Sequence, residues 1–366
     1  MASRRDFLAG LLAAGAVPRP GWAEAGAPDF LAAGRRGSGD YVLCGLRASG
    51  DLAFEVALPG RGHAGAGHPE RPEAVAFARR PGTFALVIDC RTGAVLARLE
   101  TPPGRHFMGH GTFSAEGRLL YTPENAFDEG QGRIGIWDAS AGYRRIGEFW
   151  SGGIGPHEAL FLPGSDVMAI ANGGIDTHPD SGRTKLNLPV MRPALVYASA
   201  AGEILETVDL PPEWHLNSIR HLAVRSDGLV AAAMQWEGDV AAAPPLLMLH
   251  RRGQVPSFPA FDPAGHRAMQ GYAGSVALSG DGRIVAISSP RGALVQSFET
   301  ATGRPLAAVA QADVCGLAPA GEGLLLTSGT GRIARFSGAG AETLAEQPVA
   351  WDNHVVALNR AGSRPG

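Results

Sequence analysis

The sequence predicts an all-β protein, a seven-bladed β-propeller whose ring is closed by its N- and C-terminal strands. Three observations carry this. Short apolar or alternating runs recur at Phe84–Asp89, Leu119–Thr122, Ile134–Asp138, Val167–Ala171, Leu195–Ala198, Leu229–Met234, Ile284–Ser288 and Leu324–Ser328, and helical periodicity is almost absent. Glycine is abundant, at 51 of 366 residues, and the turns AEGR, SDGL, GDGR and GEGL separate the runs. Glycine supplies the positive φ that tight hairpins need. The turns also set a period.

Six residues before the acid of each turn lie His110 (from Glu116), His221 (from Asp227), Ser275 (from Asp281) and Gly316, one past Cys315 (from Glu322). The segments RRPG after Glu73 and PGSD after His157 fit this frame within a residue, and His354 opens the last strand, Val355–Leu358. Seven repeats therefore begin near Glu73, His110, His157, His221, Ser275, Cys315 and His354, spaced by about 37 to 64 residues, as propeller blades with loop insertions are. The last repeat holds one strand. Tyr41–Leu46 and Leu52–Leu58 are expected to complete it, with Tyr41–Leu46 pairing with Val355–Leu358, so that the ring has no free edge. Four-stranded blades are expected throughout.

The N-terminus reads as a twin-arginine signal peptide. Arg4-Arg5 precede Phe7-Leu8, an apolar run extends from Leu8 to Val17, and Ala23-Glu24-Ala25 offers a small-x-small cleavage site. The expected organisation is a signal peptide over 1–25, a linker over 26–40, the propeller over 41–360 and a disordered tail over 361–366. A periplasmic protein follows from this. The apolar run is too short to span a bilayer. The formal charge of the whole chain is -3 and no basic run exceeds two residues, which argues against nucleic acid as a partner. The three cysteines, Cys44, Cys90 and Cys315, lack CxxC spacing. A Cys44–Cys90 bridge is compatible with an oxidising compartment.

The first strand of a propeller blade lines the central channel. The frame therefore places Glu73, His110, His157, His221, Ser275, Cys315 and His354 in one column around one mouth of it. Four of the eleven histidines fall in this column. Converging imidazoles suit a transition metal, iron or copper, with Cys315 as a soft ligand and Glu73 as a hard one. Asp352, Glu158 and Asp313 are near enough in sequence to orient the rings. Binding of an organic ligand, and a ring of histidines hydrogen-bonded across blades for structure alone, are the competing readings.

Further polar residues near blade ends are candidates for ligand binding. Arg79, Arg80, Arg105 with His106, Arg220 and Arg291 could form an anion-binding rim, with Glu124, Tyr272 and Asn353 beside it, or could equally cap strands through surface salt bridges. The long irregular segment 172–193 carries Asn172, Arg183 and Asn187. No G-x-S-x-G and no phosphate-binding glycine loop occurs. Cys315 with His354 is the one candidate nucleophile and base pair.

The segments ARRPG (78–82), RHFMGHGTFSAEG (105–117), LYTPEN (120–125), GGIGPHE (152–158), ANGGIDT (171–177), SIRHLA (218–223), YAGSVA (272–277), SPRG (289–292), DVCG (313–316) and WDNH (351–354) resemble the bacterial domain-of-unknown-function family 1513. Met108 and Pro123 depart from the usual residues there. The resemblance implies an exported WD40/YVTN-like propeller whose neighbours are imelysin-like iron-regulated proteins and di-haem cytochrome-type peroxidases. It further implies a role in iron or haem-linked metal uptake. The expected protein is monomeric, without stable membrane insertion, and binds a metal or a metal-bearing partner at the histidine mouth. A propeller enzyme, lactonase-like or a metal-dependent oxidoreductase, and a scaffold joining the two neighbours are the alternatives.

Overall fold

The computed structural model describes residues 20–79, 83–182 and 184–358. They form seven antiparallel sheets arranged as a ring. Blade 1 contains Gly62–Gly67, Glu73–Ala78, Ala85–Asp89 and Val95–Leu99 from the axis outward. The inner strands of blades 2 to 6 are Arg105–Phe107 with Thr112–Phe113, then Pro156–Phe161, Asn217–Val224, Ser275–Leu278 and Val314–Ala320. Blade 7 begins with Val349–Ala357, which packs against the inner strands of blades 6 and 1 and so completes the circle. Among the described residues no helix is long and apolar enough to cross a membrane.

The hydrophobic pattern follows from each sheet being covered on both faces. Middle strands such as Ala85–Asp89 and Gly323–Ser328 are buried at every position, which is why they read as unbroken apolar runs. The outermost strand Pro305–Ala310 alternates between exposed and half-buried residues. Apolar side chains gather in seven clusters, one in each gap between neighbouring blades. Phe77, Leu120 and Trp137 fill the gap between blades 1 and 2, and Met269 and Phe298 lie between blades 4 and 5.

The closure expected from the sequence is present, with a different strand at the seam. Phe30–Arg36, expected as linker, pairs with Val349–Ala357, and Tyr41–Leu46 pairs with Phe30–Arg36 instead of the last strand. Blade 4 has three strands instead of four; a lone bridge, Leu249↔Ser257, and the short helix Pro263–Ala268 follow its last strand. The first repeat is displaced. Glu73 opens the second strand of blade 1, and the inner strand is the glycine-rich Gly62–Gly67.

Residues 1–19 and the tail 361–366 lie outside the described residues. Trp22–Ala25, expected to leave with the signal peptide, form a 3₁₀ turn. Trp22 is buried between blades 7 and 1, and its indole Nε1 donates to the His68 carbonyl at 2.8 Å. Processing after Ala25 would remove that contact. Cys44, Cys90 and Cys315 are all buried and free, so the Cys44–Cys90 bridge is not formed.

One local feature recurs on the inner strands. The ladder to the second strand slips between Gly62 and Gly65, between Pro156 and Glu158, between Ile219 and His221, between Val314 and Leu317, and between Trp351 and Val355. In blade 2 the inner strand breaks altogether between Phe107 and Thr112. Such bulges re-aim a side chain away from the regular alternation. In blades 3, 4, 6 and 7 the slip lies beside the residue that the sequence places in the column, and in blade 1 it lies at His63, away from Glu73.

The seam is tightly spaced. Gly34 pairs with Trp351, and a Cβ at Gly34 would stand 2.3 Å from the Val349 side chain. Gly34→Val is therefore expected to lower stability by about 1–3 kcal/mol through overpacking. Urea unfolding reads this as a lower midpoint, and an unchanged midpoint would show that the seam tolerates the side chain.

Candidate metal centre on the propeller axis

The bulges turn five imidazoles into one cluster: His63, His110, His157, His221 and His354, from blades 1, 2, 3, 4 and 7. Their ring centroids approach to 4.4 Å for His221 and His354, 4.7 Å for His157 and His221, 4.7 Å for His63 and His354, and 4.9 Å for His63 and His110. Gly109 makes the crowding possible. Its φ is +95°, and a Cβ there would fall 2.4 Å from the His63 ring.

Two triads have ligand nitrogens close enough to hold one ion, within 4.8 Å of one another. His63, His110 and His157 form one, His110, His221 and His354 the other, and His110 belongs to both. The second triad, with Gly65, Gly111, Glu158 and Ser275, lines an axial cavity of about 590 Å³ that extends to the hairpin turns at Asp227 and Asp281. His63 and His157 are not on that cavity wall. His157 is the one member only half-buried, so its exposed edge faces the opposite mouth.

Four ring nitrogens in the cluster are buried with no partner: Nδ1 of His63 and His157, and Nε2 of His110 and His354. Buried polar atoms are normally satisfied. The Glu158 carboxylate lies 3.5 Å from His110 Nδ1 and 3.4 Å from His221 Nδ1, and its Oε2 also accepts from the Leu222 amide at 2.9 Å. Burial pushes the Glu158 carboxyl up, but the two facing rings outweigh it and hold the group well below the usual carboxylate range. Burial, then neighbouring rings and Arg79 or Arg220, holds His63, His157 and His354 well below the ordinary imidazole value. Burial lowers His221 to about 4, against the pull of Glu158. His63, His157, His221 and His354 are thus neutral near pH 7, the state in which imidazole ligates a metal.

The structure brings together four of the six residues expected as metal ligands, replaces Glu73 by His63 and directs Cys315 elsewhere. Glu73 sits at the opposite end of the blade, where its carboxylate accepts from Arg71 Nε and the Tyr143 hydroxyl, both at 2.7 Å. Cys315 is directed at Asp313, its Sγ 3.1 Å from that carbonyl, and burial beside Asp313 pushes the thiol up to about 12. A thiol so disfavoured as thiolate suits neither a ligand nor the nucleophile of a Cys315–His354 pair. His63 takes the column position in blade 1. The turn count carries its signal, because six residues before Glu70 lies Ala64, one past His63, the same offset as Gly316 from Cys315.

Several rim candidates are engaged in holding the blades. Glu124 is fully buried and receives two bonds from Arg145, at 2.6 and 2.9 Å. Asn172 exchanges bonds with Ser151 at 2.7 and 2.9 Å, and Asn187 accepts from the Asp176 amide and donates to the Gly174 carbonyl, pinning its loop. His106 bonds the Phe107 carbonyl and stacks on Phe127. Arg79 and Arg61 share Asp352, at 2.8 and 2.5 Å, and the Asn353 amide donates to the same carboxylate. Arg291 lies over the Tyr272 ring at 4.3 Å. Arg220 occupies the blade 4 bulge next to the cluster. Arg80 and Arg183 lie outside the described residues.

A closed seven-bladed propeller with buried, convergent imidazoles on its axis is the class that fold and site define. The chain belongs to the family described as Protein of unknown function (DUF1513), which it matches over residues 56–358. Curated proteins give no match. Solved structures similar in fold include hydrazine synthase of Kuenenia stuttgartiensis (11% identity, 84% of this chain and 89% of that chain, TM-score 0.60). U3-55K (12%, 81% and 85%, TM-score 0.59) and the Dos1 propeller (12%, 89% and 87%, TM-score 0.56) are similar too. At such identities the likeness shows the propeller fold alone.

Two outcomes follow from the site. Removing Arg145 strands a buried carboxylate, so Arg145→Met is expected to destabilise by about 3–5 kcal/mol, while the double variant with Glu124→Gln recovers part of the loss. Chemical denaturation of the three proteins measures this, and equal midpoints would sink it. The cluster also sets a pH dependence. The unfolded chain takes up protons near pH 6.5, whereas folded His221 does so only near 4. Stability of the metal-free protein therefore falls as pH drops from 7 to 5. Glu158 contributes nothing in that window, since it stays ionised in the fold and titrates below it when unfolded. A urea midpoint that is flat over that range would contradict neutral, buried imidazoles.

Proposed function

We propose that this is an exported, periplasmic propeller that binds a first-row transition metal, iron or copper, at the axial histidine cluster, as an accessory to iron or haem-linked metal uptake. The observation that carries the reading is the set of four buried ring nitrogens with no partner, Nδ1 of His63 and His157 and Nε2 of His110 and His354, converging from four blades. A purely structural ring would bond its nitrogens across the blades; here the Glu158 carboxylate faces His110 and His221 only through their Nδ1 atoms, and these four stay unbonded. An all-imidazole set with one adjacent carboxylate suits borderline divalent ions better than hard calcium or magnesium. His110 would be the common ligand of both triads, and Glu158 would orient His110 and His221. The twin-arginine pattern supports export, and the family resemblance supports imelysin-like and di-haem cytochrome partners.

Elemental analysis and calorimetric titration with Cu(II) and, without oxygen, Fe(II) test the reading on untagged protein. About one equivalent per chain is expected. His110→Ala should lose at least about tenfold in affinity, because a ligand is worth more than 1.4 kcal/mol at such a site. Cys315→Ser and Glu73→Gln should bind as the parent does. Absence of stoichiometric binding, or an affinity indifferent to His110, overturns the proposal.

A further inference from the structure

The axial cavity accounts for one side of the cluster, and the mouth on the His157 side is a separate surface. Cations gather there. Arg61 and Arg79 are both neutralised by Asp352, and Lys185 is paired with Glu237. Arg220 is different. It stands at the bulge between Ile219 and His221, its Nε is fully buried without a hydrogen-bond partner, and no ion pair reaches it from any described residue. Glu237 and Tyr272 favour its charge from a distance, but Lys185 occupies Glu237 and Arg291 covers Tyr272. A partly buried guanidinium whose inner donor is shut from water and unused is costly to the fold. Nothing among the blades requires it, since the adjoining backbone positions are paired, Ile219 with Met234 and His221 with Ala233.

We propose that Arg220 is the anchor of a binding site for a small carboxylate at this mouth. The two Nη of Arg220, which no described residue engages, would hold the carboxylate end-on, with the rest of the ligand over the exposed edge of His157. The fork formed by these donors matches the two oxygens of a carboxylate. The surroundings fit an anion. The chain as a whole is acidic, at -3, yet at this mouth Arg61, Arg79, Lys185, Arg220 and Arg291 face only Asp352 and Glu237 in their pairs and stacks. The site stands on Arg220 and not on the metal. It deepens the metal reading in one respect: Arg220 already disfavours charge on His157, so a cation on His63, His110 and His157 would repel it, and a carboxylate between them relieves that repulsion. Metal loading should then tighten carboxylate binding, and by linkage the carboxylate should tighten the metal.

The test uses succinate, a weak chelator, titrated calorimetrically into the full protein, both stripped of metal and as purified. Succinate is expected to bind the stripped protein, and Arg220→Met is expected to weaken it at least about tenfold, the value of a charge-assisted pair. Arg220→Lys should fall between them, because a point charge replaces the fork. The melting temperature of Arg220→Met in the absence of anion should equal or exceed that of the parent, since an unpaired buried charge has been removed. A lower melting temperature would make Arg220 a structural residue and overturn the proposal. So would succinate binding that is absent or indifferent to Arg220. Inorganic phosphate binding more tightly than succinate, with the same dependence on Arg220, would overturn the carboxylate assignment. Failure of metal binding with Arg220-dependent succinate binding intact would fell the metal reading alone.

Discussion

The antiparallel pairing of Phe30–Arg36 with Val349–Ala357 is the interaction on which the axis depends. It joins the two ends of the chain in one sheet and brings the inner strand of blade 7 against those of blades 6 and 1. His354 lies on that strand, and His63 on its neighbour, Gly62–Gly67. Without the seam two of the five rings have no fixed place. The apolar clusters distribute the same dependence around the ring, because each fills a gap between two blades and none stands as a core by itself.

The axis itself is a compromise between packing and hydration. Five imidazoles with centroids 4.4–6.5 Å apart exclude water from most of their nitrogens, and burial keeps His63, His157, His221 and His354 neutral at neutral pH. Glu158 is the one carboxylate within ion-pair reach of any of them among the described residues. Neutral ligands, an ionised acceptor for two of them and unsatisfied lone pairs together make a site poised for a cation. The β-bulges are the device that produces it. A regular inner strand would alternate its side chains between the two neighbouring blades, whereas the bulges of blades 1, 3, 4 and 7 shift that alternation and let an imidazole reach the axis.

Much of this was legible in the sequence, and the gaps have physical causes. His110, His157, His221 and His354 were found because a hairpin turn follows each at a nearly constant distance, and glycine-bearing turns are the strongest local signal in a β protein. His63 was missed because its strand, GHAGAG, has neither β-branched nor large apolar residues. Glycine and alanine are tolerated there because the closely approaching neighbours, Ala33 beside Gly62 and Leu358 beside Gly67, leave no room for side chains. Phe30–Arg36 was taken for linker for a similar reason, its glycine and two arginines hiding a strand. Glu124, Asn172 and Asn187 looked available because a sequence does not disclose which polar groups will be consumed across a sheet, and Arg145, Ser151 and Asp176 consume them. Glu73 entered through a turn that closes the second and third strands of its blade, a hairpin indistinguishable in composition from those between first and second strands.

The position of His354 on the closing strand also has a consequence in time. A chain growing from its N-terminus leaves the inner edge of Phe30–Arg36 without its partner until residues 349–357 have been synthesised, more than three hundred residues later. The first four histidines of the cluster are made long before the fifth, and they stay on an open arc until the final strand docks. Assembly of the axial site and completion of the ring are therefore the same event, and both come last in the life of the nascent chain.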